Sequence, residues 1–131
     1  MASIFSKIVA GEIPAYKVAE NENFLAFLDV NPLVKGHVLV IPKKEVDYIF
    51  DLEDDLYLGL HAFLKKVALG LKKAVPCIRI GVAVIGLEVP HVHIHLVPMN
   101  AIDDLNFSKP KLKQSAEELK ETAERISREI N

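Results

Sequence analysis

The chain has 131 residues, of which 50% are hydrophobic and 26% are charged, and its formal net charge is −2. This length predicts a single domain with an ample core. The small negative charge excludes the strongly basic surface that binds nucleic acid or an anionic membrane.

Three features of the sequence predict a cytoplasmic protein without a membrane segment. Cys77 is the single cysteine, which excludes an internal disulfide and is typical of a reducing compartment. Residues 1–9 lack the long apolar run of a secretory signal. No apolar run approaches the roughly 18 residues that a membrane-spanning helix needs.

Caps and turn residues predict a helix and three strands in the first third of the chain. Ser3 is a typical helix cap, and Gly11 suits the end of a short helix that begins at Ile4. The first two strands would form a hairpin, and Gly36 allows a close backbone approach before the third. The predicted strands cover residues 15–20, 24–30 and 37–42.

A long helix is predicted over residues 51–74, because apolar residues recur there every three or four positions. Acidic residues open this helix and lysines close it, which matches the helix dipole. A polar connection over residues 99–113 leads to a last helix, for which Ser115 and Glu118 form a capping box. Between the two helices lie two further predicted strands, over residues 78–85 and 89–97.

Histidine alternates with aliphatic residues in Pro-His-Val-His-Ile-His-Leu-Val-Pro, residues 90–98. Successive side chains of a strand point to opposite faces, so His91, His93 and His95 are predicted to share one face. The aliphatic residues between them would pack on the other face. Three imidazoles are costly to desolvate, and a purely structural strand gains nothing from them. The row therefore indicates a functional site.

Two chemistries use such a row of histidines. A zinc ion could take His91, His93 and His95 as ligands, although zinc sites of this kind usually recruit a further ligand. The chain has neither a Cys-x-x-Cys nor a His-Glu-x-x-His motif. In the second chemistry, one neutral imidazole is the nucleophile in a reaction at phosphorus. The spacing alone leaves both open.

The run from His91 to Val97 resembles the signature of the histidine triad (HIT) superfamily, in which His-x-His-x-His precedes two hydrophobic residues. Other parts of the chain, from Ile4 to about Asn100, are similar to the Hint-like nucleotide-binding branch of that family. The similar segments follow the family order and are Ile4–Ile8, Gly11–Pro14, Phe24–Asp29 and Gly36–Lys44.

The resemblance implies an α+β, HIT-like fold: a five-stranded, mainly antiparallel sheet with a long helix and a C-terminal helix. Residues 1–131 would form one HIT domain, with a core over 1–100 and a C-terminal extension over 101–131. The resemblance also implies a homodimer joined edge to edge, a purine nucleotide substrate and no required cofactor. Zinc at the histidine cluster stays an alternative. The tail of one subunit approaches the partner's site in this family, so residues 109–131 are expected to tune specificity.

In the family the central triad histidine attacks the α-phosphorus of a nucleotide derivative, and His93 occupies that position here. The resemblance thus implies a hydrolase or transferase for purine phosphoramidates and adenylates that works through a nucleotidyl-histidine intermediate. His95 would donate hydrogen bonds to the phosphate oxygens and His91 would orient its neighbours. His37 matches a family histidine that completes the cluster.

The resemblance also implies a nucleoside pocket. The apolar residues of this pocket would be interpreted as plain core residues without the family resemblance. Asp29 would accept the ribose hydroxyls, and its alternative role is to form the turn before Asn31. The apolar slot for the base would consist of Phe5, Ile8, Ile13, Phe27 and Val30.

One segment departs from the family pattern. Shortly before the triad, Hint-like proteins carry a Gly-Gln or Gly-Gln-Ser run that contacts the phosphate and the leaving group. Here Leu87 stands at the glutamine position and Glu88 at the serine position. Leu87 cannot hydrogen bond, and an ionised Glu88 would repel phosphate. Arg79 compensates only if it points to the site.

This departure motivates a second class of function, a non-catalytic nucleotide-binding or interaction module. Hydrolysis of dinucleoside polyphosphates is another enzymatic alternative, which the missing glutamine disfavours.

Overall fold

The structure, a computed structural model, describes residues 2–131. Five strands form one antiparallel sheet, and they are β1 Lys17–Glu20, β2 Phe24–Leu28, β3 Val38–Pro42, β4 Arg79–Ala83 and β5 Ile94–Met99. Their order across the sheet is β1-β2-β3-β5-β4. Three helices accompany the sheet, and they are α1 Ile4–Val9, α2 Asp54–Ala74 and α3 Ala116–Ile130. The predicted α+β fold, with its long helix and C-terminal helix, is confirmed.

The helix caps follow the sequence at two of the three helices. The Ser3 hydroxyl accepts a hydrogen bond from the Ser6 backbone at 3.0 Å, and Ser115 and Glu118 form the predicted capping box. The long helix begins at Asp54 rather than Asp51, because Ile49–Asp51 forms a separate 3₁₀ turn. No helix in residues 2–131 has both the length and the apolar character required to cross a bilayer.

Both faces of the central strands are buried. One face packs against α2 and α3 and forms the larger core, which includes Val92, Ile94 and Leu96. The opposite face lies under α1 and forms a smaller cluster. The members of that cluster are Phe5, Ile8, Leu25, Phe27, Leu39 and Ile41. We call this opposite face of the sheet, which carries the smaller cluster, the α1 face.

The fifth strand begins at Ile94, not at Val89 as predicted. The chain bends through residues 87–91, and Pro90 has no N–H to donate to a neighbouring strand. The predicted alternation nevertheless holds, since Val92 packs in the larger core while His93 and His95 lie on the α1 side. Each of the other four strands is one to three residues shorter than predicted.

Gly36 lies at the entry to β3. Its φ of +89° is in the left-handed region that favours glycine, and an added Cβ would lie 2.9 Å from Val75 Cγ2. The glycine therefore lets the chain pass close to the end of α2, and it places His37 directly before β3.

Candidate active site

A cavity of about 740 Å³ opens on the α1 face of the sheet. Nine of the ten predicted site residues line it, and they are Phe5, Ile8, Ile13, Phe27, Asp29, Val30, His37, His93 and His95. The tenth, His91, is 0% exposed and lies outside the cavity wall.

Strand register builds one wall of the cavity. Phe27 pairs with Leu39, and Leu39 pairs with His95, so the three residues form a row across β2, β3 and β5. Paired residues project from the same face of a sheet. His37 precedes Leu39 by two residues and faces the same side. The row brings an apolar surface from Phe27 and Leu39 next to the imidazoles.

One hydrogen bond orients the His93 ring. Its Nδ1 lies 2.8 Å from the backbone oxygen of His91, which can only accept, so Nδ1 carries the proton. In the neutral imidazole, Nε2 then has a free lone pair. The Phe5 ring packs edge-on against His93 at 5.0 Å between centroids, and His95 does so at 5.1 Å.

The His91 ring is held at both nitrogens inside the protein. Nε2 donates to the Pro42 carbonyl at 2.8 Å, and Nδ1 accepts from the Ser3 hydroxyl at 2.8 Å. The pKa of His91 is lowered, mainly by burial of its ring. With neither nitrogen free, His91 cannot contact a bound molecule, and its geometry suits an orienting role.

His37 and His95 form a hydrogen-bonded pair whose proton positions are determined by the backbone. The Leu33 N–H donates to His37 Nδ1 at 3.0 Å, so the proton of a neutral His37 is on Nε2. That Nε2 lies 2.9 Å from His95 Nδ1, which must therefore accept. Burial lowers the pKa of His37 to about 3 and that of His95 to about 4, so both rings are neutral near pH 7. The remaining proton of His95 is on Nε2.

The free nitrogens of His93 and His95 are accessible. Within residues 2–131, no fully buried side-chain nitrogen or oxygen lacks a hydrogen-bond partner. The Nε2 atoms of His93 and His95 make no such bond within the protein, so neither atom is fully buried. Because both residues line the cavity, it presents a lone pair from His93 beside an N–H donor from His95.

Asp29 lies at the end of β2 on the cavity wall. Its Oδ1 accepts from the Asn31 backbone at 2.8 Å, which is the turn-forming role. Its Oδ2 lies 3.7 Å from His37 Nε2. Burial raises the pKa of this carboxyl. The turn role and a contact of Oδ2 with a bound hydroxyl are therefore compatible.

Phe107 and Lys111 are among the residues of the cavity wall that sequence reasoning missed. The Phe107 ring packs edge-on against His95 at 4.7 Å between centroids. Lys111 Nζ donates to the Phe107 carbonyl at 2.6 Å, and the Leu112 N–H donates to the Pro32 carbonyl at 2.8 Å. The one sequence signal for this part of the wall was the aromatic side chain of Phe107 in the predicted connection over residues 99–113.

The segment that departs from the family pattern forms part of the cavity rim. Leu87 is 88% exposed, and both Leu87 and Glu88 line the cavity. Arg79 does not line it, since this residue pairs with Met99 at the start of β4. Arg79 therefore does not compensate for the missing polar residues. Lys111 is the single lysine or arginine among the lining residues.

Comparison with known proteins reveals relatives that match almost the whole chain. An uncharacterized HIT-like protein of Borreliella burgdorferi is 36% identical over 135 residues, a match that covers 97% of this chain and 97% of the relative. The adenosine 5'-monophosphoramidase hnt1 of Schizosaccharomyces pombe is 36% identical over 132 residues and is matched over 99% of each chain. The HIT-like protein involved in cell-cycle regulation from Bartonella henselae has a similar structure, with a TM-score of 0.84, 29% identity, and coverage of 97% of this chain and 95% of that one.

A zinc-bound histidine triad protein from Mycobacterium smegmatis is also similar, with a TM-score of 0.80, 26% identity, and coverage of 99% of this chain and 94% of that one. In residues 2–131, Asp29, His37 and His95 have ligand atoms within 4.8 Å of one another. His37 Nε2–H donates to His95 Nδ1, however, and an ion would have to displace that proton. The set proposed from the sequence does not converge, because His91 has no free nitrogen. We call the chain of hydrogen bonds from Leu33 through His37 to His95 the relay, and its histidines together with Asp29 are the residues that could hold an ion.

A family model for the HIT domain matches residues 10–102. This match covers all five strands and α2, and it includes the three alternating histidines. The chain therefore belongs to the HIT family.

Proposed function

We propose that the chain is a nucleotidyl hydrolase that cleaves purine nucleoside phosphoramidates and related adenylates at the α-phosphorus. The observation that carries this proposal is the orientation of His93, whose Nδ1–H is bound to the His91 carbonyl. The opposite nitrogen is then a nucleophile on the wall of a cavity large enough for a nucleotide. The name of the fission yeast relative, a monophosphoramidase, supports the same substrate class.

The proposed reaction has two steps. His93 Nε2 attacks the α-phosphorus, the new N–P bond forms, and the P–N bond of the substrate breaks with its electron pair on the amine nitrogen. That nitrogen takes a proton from water. The hydroxide thus formed attacks phosphorus, and the electron pair of the N–P bond returns to Nε2, which releases the nucleoside monophosphate. His95 Nε2–H would donate to a phosphate oxygen as negative charge develops.

The proposed substrate contacts follow the polarity of the cavity wall. The apolar residues under α1 would hold the purine, and Asp29 Oδ2 would accept a ribose hydroxyl. Lys111 would supply positive charge to the phosphate or to an anionic leaving group, where the family pattern has polar side chains. No cofactor enters these steps. The predicted cytoplasmic location stays a prediction.

The test is hydrolysis of adenosine 5'-phosphoramidate by the wild-type chain and by two histidine variants. We expect His93→Ala to lower kcat by a factor on the order of 10³ or more, as removal of a nucleophile does. His61→Ala is the matched control, because His61 lies on α2 and bonds the Tyr57 carbonyl away from the cavity. Equal turnover by wild type and His93→Ala would show that His93 is not the nucleophile.

A non-catalytic nucleotide-binding module is the second candidate, and the cavity rim is the observation that favours it. Leu87 offers no hydrogen bond there, and Glu88 would repel a phosphate. This candidate predicts that calorimetry detects tight binding of adenosine monophosphate while no phosphoramidate, adenylate or dinucleoside polyphosphate is turned over.

We also propose a homodimer joined through β4. This strand lies at the edge of the sheet, and the exposed hydrophobic residues in or near it are Ile78, Val82, Val84 and Ile85. An apolar edge strand with unpaired backbone groups is a typical site for pairing with another chain. A second copy would cover these residues and continue the sheet.

A further inference from the structure

A second cluster of polar side chains lies behind the triad, outside the cavity. It consists of Ser3, Ser6, Glu45 and His91, which come from the start of α1, the segment after β3, and the loop before β5. None of these four residues lines the cavity. Residues 3 and 91 are 88 positions apart in sequence, so the contact between them joins the start of α1 to the triad segment.

The hydrogen bonds of this cluster allow one arrangement of protons. The Ser6 N–H donates to Ser3 Oγ at 3.0 Å, which leaves the hydroxyl proton of Ser3 free to donate. His91 Nε2 must donate, because its partner is the Pro42 carbonyl. His91 Nδ1 therefore accepts from Ser3 Oγ at 2.8 Å. The Pro42 carbonyl thus determines the Nε2–H tautomer of a neutral His91, and the Ser3 hydroxyl completes the arrangement by donating to Nδ1.

Glu45 holds Ser3 in place. Its Oε1 accepts from the Ser3 backbone N–H at 2.7 Å and from the Ser6 hydroxyl at 2.6 Å. The Ser3 backbone N–H and the Ser6 hydroxyl lower the pKa of Glu45 to about 2. The carboxylate is therefore ionised near neutral pH and remains an acceptor for both donors.

The cluster reaches the cavity through the backbone of residue 91. The carbonyl oxygen of His91 accepts the Nδ1–H of His93, and this bond orients the His93 ring. A His91 ring that is bound at both nitrogens holds that carbonyl in position. Loss of the Ser3 contact would leave Nδ1 of a fully buried ring with only the Ser6 hydroxyl, whose oxygen lies 3.4 Å away and whose proton is donated to Glu45.

We propose that Ser3, anchored by Glu45, is a positioning residue for the triad, whose hydroxyl holds the His91 ring at Nδ1 and so maintains the orientation of His93. The catalytic part of this inference rests on the proposed function, in which His93 is the nucleophile. The part that concerns the hydrogen bond at Nδ1 and the ring orientation does not depend on turnover. Because Ser3 does not touch the cavity, its effect is on kcat rather than on substrate binding.

The experiment compares four variants of the full chain: Ser3→Ala, Ser3→Thr, Glu45→Ala and Lys44→Ala. Two quantities are measured: kcat and KM for adenosine 5'-phosphoramidate, and the imidazole ¹⁵N spectrum, which reports the protonation and hydrogen bonding of each ring nitrogen. We expect Ser3→Ala to lower kcat about tenfold or more with KM changed less than about twofold, the range typical when a group that orients a histidine is lost. The His91 Nδ1 signal should shift toward that of a nitrogen that has lost its hydrogen-bond donor, while Nε2 stays protonated. Ser3→Thr keeps the hydroxyl and should restore most of the activity.

Glu45→Ala guards against misfolding of Ser3→Ala, since Glu45 is exposed and its removal leaves the core intact. It should lower kcat in the same direction, while Lys44→Ala, the exposed neighbour, should match wild type. Wild-type kcat and an unchanged His91 spectrum in Ser3→Ala would overturn the proposal, and so would an equal loss in Ser3→Thr. An inactive wild type would contradict the proposed function instead, and the His91 spectrum of Ser3→Ala would still decide the role of Ser3.

Discussion

His37 Nε2 and His95 Nδ1 lie 2.9 Å apart, and the backbone N–H of Leu33 determines which of the two rings donates. A backbone N–H cannot accept, so it fixes the His37 tautomer, and His37 in turn fixes that of His95. The donor that His95 presents to the cavity is thus specified by a backbone group in the loop before β3. Placement of such donors is the main device for stabilising a phosphoryl transition state.

The first prediction concerns this pair of histidines. His37→Ala removes the donor to His95 Nδ1, so the His95 proton is free to move to that nitrogen and the cavity loses its N–H. We expect kcat to fall about 10- to 100-fold, as when a group that orients a catalytic histidine is lost. The imidazole ¹⁵N spectrum should show His95 as a mixture of tautomers. A variant with wild-type kcat and a pure Nε2–H signal would contradict the relay.

The second prediction concerns stability and pH. Burial lowers the pKa of His37 to about 3 and that of His95 to about 4, whereas histidine in an unfolded chain titrates near 6.5. The unfolded state therefore binds more protons between about pH 6.5 and pH 4, and the free energy of unfolding falls as the pH is lowered through that window. The slope should be about 1.4 kcal/mol per pH unit for each histidine that stays neutral.

Urea unfolding at several pH values between about 5 and 7 measures this slope. Asp29 works in the opposite sense, because burial raises its pKa and the folded state then binds its proton more readily. In His37→Gln the slope should decrease by the share of one histidine. A free energy of unfolding that is constant across this range would show that the buried rings are not held neutral.

The third prediction concerns Lys111, which lines the cavity beside Phe107. Lys111→Ala removes the single cationic side chain of the wall. We expect kcat/KM for adenosine 5'-phosphoramidate to fall by a factor on the order of 10 to 100, the range for loss of a hydrogen bond to a charged group, with a weaker dependence on salt. Lys113→Ala is the matched control, because Lys113 is exposed and does not line the cavity. Equal losses in both variants would indicate a general charge effect.

The fourth prediction concerns the exposed edge of the sheet. Val82 is 54% exposed on β4, and a lysine there would place a charge in the proposed dimer interface. Light scattering should give the mass of two chains for wild type and of one chain for Val82→Lys. Leu58→Lys, an equivalent change at an exposed residue of α2, should leave the mass at two chains. A wild-type chain that is monomeric at micromolar concentration would refute the dimer.

Local patterns in the sequence were sufficient to predict which residues form much of the candidate site. The period of two separated the aliphatic residues of the larger core from His93 and His95 on the cavity wall, although the regular strand begins only at Ile94. The capping signals at Ser3 and Ser115 were also correct, because a cap depends on residues only three positions away.

Contacts between distant segments could not be read from the sequence. The bond from Ser3 to His91 spans 88 positions, and the side-chain partner of Glu45 comes from α1. No periodicity encodes which loop meets which helix. Phe107 illustrates the same limit, since its position over His95 depends on how the chain after β5 returns past Pro32.

The most direct test of the central claim is a search for a nucleotide bound covalently to His93. The wild-type chain would be mixed with excess adenosine 5'-phosphoramidate, quenched in base within the first turnover, digested, and analysed by mass spectrometry. We predict that the peptide containing residues 91–95 gains the mass of one adenylyl group, that fragmentation places it on His93, and that His93→Ala shows no such adduct. Steady turnover without any adduct, together with turnover by His93→Ala, would contradict the account.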